Sequence, residues 1–127
     1  EISGNWEMYQ LPMSEMPDFS KMGRNAYNNG TSQANRLKDC PVLYEGTFTL
    51  DETGDTFIDM EAWGKGIIFV NGHNIGRYWK VGPQQTLYIP GVWLNKGENK
   101  IVIFEQLNET PMTEVKTVKV PVLTNLK

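Results

Sequence analysis

Residues 63–94 read WGKGIIFVNGHNIGRYWKVGPQQTLYIPGVWL, and this stretch decides the fold. It gathers three Trp, two Tyr and six Gly around the pair Asn71-Gly72. The charge-poor run Ile67-Ile68-Phe69-Val70 leads into that pair, and residues 73–79 lead out of it. Asn and Gly both accept the positive φ of a tight primed turn. Two β-forming arms around Asn-Gly predict a hairpin.

Working outward, residues 42–51 alternate with period two. Val42, Tyr44, Gly46, Phe48 and Leu50 share one face, and Leu43, Glu45, Thr47, Thr49 and Asp51 share the other, the mark of a half-buried strand. Residues 51–55 form an acidic turn. Strands are expected at 56–60, 67–70, 73–79, 86–89, 100–105 and 115–122, with Pro90-Gly91 ending one of them and residues 92–94 making a short turn. Upstream, residues 6–11 alternate weakly and read as a short strand stopped by Pro12. Residues 14–22 offer one helical turn, because Ser14, Pro17 and Asp18 are plausible starters. Residues 23–39, rich in Asn, Gly and Ser, read as a long surface loop. Many short strands at regular spacing define an all-β antiparallel sandwich or jelly roll. The 127 residues suit one domain with a real core.

Composition narrows the function classes. A net charge of −3 without a Lys/Arg cluster gives no basis for nucleic-acid binding. No apolar run is long enough to span a membrane as a helix. Cys40 is the only cysteine, so neither an internal disulfide nor a cysteine-based metal site is expected. No basic-then-apolar leader follows Glu1, and the chain reads as mature or as cut from something larger. The sequons at Asn29 and Asn108 matter only in a secreted eukaryotic protein.

Chemistry-bearing residues are few. Glycoside cleavage needs two carboxylates ~5–9.5 Å apart. Asp59, Glu61, Glu45 and Glu105 are available, and solvated strand positions are the ordinary reading of each. His73 stands alone beside the turn, so a histidine metal site is not expected. No Gly-x-Ser-x-Gly elbow presents a serine. Gly64-Lys65-Gly66 lacks the spacing and the Ser/Thr of a phosphate loop. No cofactor is implied. The aromatics remain: Trp63, Tyr78, Trp79, Tyr88 and Trp93 can stack on a sugar ring while Arg77, Asn71, Gln84 and Gln85 bond its hydroxyls. Alternatively the aromatics fill the core, and Arg77 ties loop carbonyls together.

Residues 55–94 closely resemble the carboxy-terminal region of glycoside hydrolase family 35 β-galactosidases. The elements that carry the likeness are Asp55-Thr56-Phe57, Trp63-Gly64-Lys65-Gly66, Val70-Asn71-Gly72, Gly76-Arg77-Tyr78-Trp79, Gly82-Pro83-Gln84-Gln85-Thr86-Leu87-Tyr88, Pro90 and Trp93-Leu94. The flanks agree at residues 6–12, 44–50 and 99–105, while 23–39 find no match. The resemblance implies a galactose-binding-like jelly roll packed beside a catalytic (β/α)₈ barrel that carries both catalytic glutamates. A barrel needs ~250 residues, so the expectation is a non-catalytic domain of a retaining exo-β-galactosidase. It would pack on the barrel and line the rim of the substrate cleft. The alternative is an autonomous module for β-galactosides. Backbone geometry accounts for the glycines and prolines of the motif. Arg77, Trp79, Gln84 and Gln85 have no such account and are the leading candidates for contacts outside the domain, ahead of Trp63, Tyr78, Asn71 and His73. The family implies an exported bacterial protein, periplasmic or secreted, or a lysosomal one in a eukaryote. The first strand lies close to Glu1, which leaves room for an edge strand from upstream; an unpaired edge would favour association between copies.

Overall fold

The computed structural model describes residues 4–10, 13–16, 18, 41–107, 112 and 114–123. Among the described residues seven strands form, in chain order β1 (Val42–Leu50), β2 (Thr56–Asp59), β3 (Lys65–Val70), β4 (His73–Trp79), β5 (Thr86–Ile89), β6 (Gly97–Glu105) and β7 (Lys116–Val118). They make a four-stranded sheet ordered β1-β6-β3-β4 and a three-stranded sheet ordered β5-β2-β7. Every pairing is antiparallel. The expected sandwich is what forms.

The core lies between the sheets. Ile58 and Met60 come from the β2 side, Leu87 and Ile89 from β5, Ile68 and Val70 from β3, and Ile103 from β6, with Trp63 and Tyr78 among them. Each fully buried aliphatic side chain contributes about 1.5–3 kcal/mol. The alternation read in β1 holds: Tyr44, Phe48 and Leu50 pack against this core, while Thr47 and Thr49 are exposed. The central strands are covered on both faces. Phe69 and Val102 stand opposite each other, both buried, yet neither belongs to the core cluster. Their neighbours Ile68, Val70 and Ile103 do, so strand alternation turns Phe69 and Val102 to the outer side of the sheet.

A bulge re-aims the end of β4. Ile68 pairs with Gly76 and Phe69 with Asn74, leaving Ile75 unmatched. Gly76 supplies φ 130°, and its N–H donates to the Asn74 side chain at 2.9 Å. The Asn74 amide in turn donates to the Met13 carbonyl at 2.7 Å, tying the amino-terminal segment to this edge.

Some expectations are corrected. Residues 6–10 form no strand, and Trp6, Met8 and Tyr9 are exposed. Weak alternation did not suffice, because no strand edge pairs with these residues. Residues 14–16 and 18 are not helical, while the rest of 14–22, the 23–39 loop and both sequon asparagines lie outside the described residues. The last strand is three residues, not 115–122. The chain bends at Lys119 and Val120 before Pro121, which has no N–H for a ladder. Beyond the bend, Leu123 forms an isolated bridge with Gln84.

Candidate functional site

The hairpin at Asn71-Gly72 forms as read, with φ 48° at Asn71 and 84° at Gly72. The Asn71 side chain does more than tolerate the turn. Its amide donates to the Trp93 carbonyl and to the Asn99 side chain, each at 2.8 Å, and its oxygen accepts the Lys100 N–H at 2.8 Å. Asn99, fully buried, donates to the Asn95 and Gly97 carbonyls and accepts the Asn95 N–H. Three chain segments are thus joined by two asparagines. His73 stacks on Trp93 beside them, centroids 4.6 Å apart and planes 10° from parallel.

At the opposite end of β3, Glu105 closes the bend of Trp63-Gly64-Lys65. Its carboxylate is buried and accepts the N–H groups of Gly64 at 2.9 Å, Lys65 at 3.0 Å and Leu107 at 2.8 Å. The Tyr78 hydroxyl donates to it at 3.1 Å. Burial, reinforced by the Glu105 charge, pushes the Tyr78 phenol far above the ordinary tyrosine range. Trp63 packs edge-on against Tyr44 and Tyr78, with centroids 5.2 and 6.3 Å away. Solvation is the wrong reading for Glu105. It shares the inward parity of Ile101 and Ile103 on β6, and that parity beside glycine-rich N–H groups was the available signal.

The remaining candidates reach the surface. Trp79 is 43 % exposed, and Lys65, its cross-strand partner, places its ammonium 4.8 Å from the indole centroid. Arg77, also exposed, pairs with Ile67 across β3 and β4. One row of the sheet therefore runs Leu43, Phe104, Ile67, Arg77, the first three half-buried. Beyond Trp79 the chain turns, with the Gly82 N–H on the Trp79 carbonyl at 2.9 Å and a cis Gly82-Pro83 bond. Gln84 is exposed, and its amide donates to the Thr86 carbonyl at 3.0 Å. Gln85 accepts the Met60 N–H through its main chain at 2.9 Å, and its side-chain oxygen is buried without a hydrogen-bond partner.

The eight sequence candidates therefore do not form one pocket. Trp63 and Tyr78 are core residues, 3 % and 2 % exposed, so stacking on a sugar is corrected for both. Asn71 spends its side-chain groups on clamping strands. His73 lies at the hairpin tip with Trp93, Arg77 and Trp79 lie along β4, and Gln84 and Gln85 follow the next turn. Tyr88 sits apart on the three-stranded sheet, tilted against Phe57, and its hydroxyl bonds Asp55. The Asp55 carboxylate also accepts the Gly91 N–H, and these two bonds hold it below the usual carboxylate range. Among the described residues, no group of three or more His, Cys, Asp or Glu could hold a metal ion, and no helix is long and apolar enough to cross a membrane.

Two antiparallel sheets facing each other across one core define an all-β sandwich domain of the galactose-binding-like class. Residues 41–99 match the family model described as "Beta-galactosidase, galactose-binding domain". Over those residues the chain is similar to that domain family. It is 40 % identical over 121 residues to Beta-galactosidase 1 of Dictyostelium discoideum, covering 93 % of this chain and 17 % of the relative. It is 48 % identical to Beta-galactosidase 8 of Oryza sativa subsp. japonica, covering 93 % of this chain and 19 % of the relative. It is 37 % identical to Beta-galactosidase-1-like protein 2 of Homo sapiens, covering 84 % and 16 %. The chain thus spans about a sixth of the length of these relatives.

Proposed function

We propose that this module packs inside a longer β-galactosidase, against its catalytic barrel, and lends that barrel one wall of the substrate cleft. The observation that supports this is the outer face of the four-stranded sheet. There Trp79, Lys65 and Arg77 border the half-buried row of Leu43, Phe104 and Ile67. Large aromatic and guanidinium groups beside apolar surface are the usual anchors of an interface. The test compares two settings. Trp79→Ala should leave the 127-residue chain folded, yet lower the melting temperature of the complete enzyme and raise its susceptibility to protease. Unchanged behaviour of the complete enzyme would remove this face from the interface.

A second reading, galactoside binding by the module itself, is favoured by the same exposed indole beside Arg77. Titration with galactose or lactose, followed by Trp fluorescence, distinguishes the two. A saturable change lost in Trp79→Ala supports sugar binding. No change at millimolar sugar leaves only the packing role.

A further inference from the structure

A second surface lies between the sheets. Among the described residues the four-stranded sheet has one strand more than its partner, with β1 at an edge of the larger sheet and β7 at an edge of the smaller. There a cleft of about 770 Å³ opens between β1 and β7. Tyr44, Phe48 and Leu50 of β1 and Ile101 of β6 form one wall; Met112, Val115 and Val118 stand among the opposing residues. Register shows the gap directly. Ile58 and Thr117 are cross-strand neighbours on the inward side of the three-stranded sheet. Ile58 is 1 % exposed, whereas Thr117 is exposed. Among the described residues, β7 pairs only with β2.

We propose that this cleft receives an extended strand from the part of the parent polypeptide outside these 127 residues, laid beside β7 to complete a second four-stranded sheet. The inference rests on the reading that the module belongs to a longer chain. Three arguments select a strand. Neighbouring strands are spaced by about 4.8 Å, so one further strand extends the smaller sheet beneath the overhanging β1. The cleft walls are apolar, and alternate side chains of an inserted strand would cover Phe48 and Leu50 while its backbone pairs with the free edge. Three of the five rim charges are already engaged: Glu45 with Lys100 and Glu114 with Lys116, each at 3.2 Å, and Asp55 with Gly91 and Tyr88; Glu52 and Lys119, of opposite sign, are the other two. A polar small molecule would need convergent, uncommitted polar groups. The source is internal because the module covers only 16–19 % of the length of its relatives. An apolar cleft left open would also invite aggregation.

Photocrosslinking in the complete parent polypeptide tests this. Benzoylphenylalanine replaces Phe48 in one variant and the exposed Thr117 in a second, so a folding defect at the first position leaves the second informative. Val92, fully solvated elsewhere in the fold, serves as control. After irradiation, Phe48 and Thr117 should both cross-link within a single chain to one common segment outside residues 1–127, and Val92 should not. Adducts within residues 1–127, adducts of doubled mass, or no adduct from either position would overturn the proposal. A parent no longer than this module would instead overturn the reading on which it rests, and intact mass reports that separately.

Discussion

The Tyr78 hydroxyl stands 3.1 Å from the Glu105 carboxylate and donates to it inside the core. This pair joins β4 to the end of β6 across the intervening β3. A buried carboxylate is tolerable only when its lone pairs are met. Here backbone amides of Gly64, Lys65 and Leu107 complete the set. Glu105→Gln keeps the shape but turns an NH₂ group toward N–H donors. The expected loss is about 2–4 kcal/mol, read as a lower urea midpoint with an unchanged slope.

The same pair makes stability depend on alkaline pH. An unfolded tyrosine loses its proton near pH ~10, while the folded Tyr78 phenol keeps its proton well beyond that. Above that point the unfolded state binds fewer protons than the folded one, so unfolding becomes easier. The Tyr78 contribution is complete below the unfolded value and declines above it, by about 1.4 kcal/mol per pH unit. Urea midpoints measured at a series of alkaline pH values should fall, and Tyr78→Phe should make the fall less steep. An equally steep fall in Tyr78→Phe would assign it to other groups.

Two glycines should behave differently on substitution by alanine. A Cβ at Gly66 would collide with the Phe104 carbonyl oxygen and reach 2.5 Å from the Tyr78 hydroxyl. Both partners are fixed in the sheet and core, so Gly66→Ala should cost at least about 3 kcal/mol. At Gly72 nothing lies within 4 Å, and only its φ of 84° resists. Gly72→Ala should cost about 1 kcal/mol. Thermal melts of both variants decide it; equal losses would mean that the strand carrying Gly66 shifts freely.

The Asn71 clamp can be separated from its turn geometry. Asn71→Gly keeps the positive φ but deletes the bonds to Trp93, Asn99 and Lys100. Buried Asn99 then loses a partner, and a loss of about 1–3 kcal/mol follows. Asn71→Ala adds the strain of a Cβ at positive φ, about 1 kcal/mol more. If the two variants melt together, strain is negligible at this position.

Much of the fold was legible because it follows local rules. Residues 86–89 and 73–79 were bounded correctly, since Pro90 and Asn71-Gly72 punctuate them. β3 begins two residues earlier than its apolar run suggested. Gly66 looks like a breaker in sequence, yet it is where the Tyr78 hydroxyl and the Phe104 carbonyl pass too close for a side chain. The bulge at Ile75 and the role of Glu105 were hidden because both depend on which strands pair. β6 meets β3 only after 26 intervening residues, from Asn71 to Lys96. Of the site candidates, exposure divides Trp79 from Trp63 although both flank glycine-rich turns. Burial of a tryptophan is a property of the sheet's two sides, which the sequence near it does not encode.

Asn71 also ties the molecule to its own age. An Asn-Gly pair is the dipeptide most prone to lose its side-chain ammonia, because the following amide nitrogen can attack the carboxamide. Here that carboxamide is gripped by three partners. Conversion to aspartate would replace the donor facing the Trp93 and Asn99 oxygens with a negative acceptor. Native chains should therefore keep Asn71 intact, while unfolded chains accumulate a lesion that then bars their return. Peptide mapping after parallel incubation with and without urea would show that asymmetry, and equal deamidation in both would refute it.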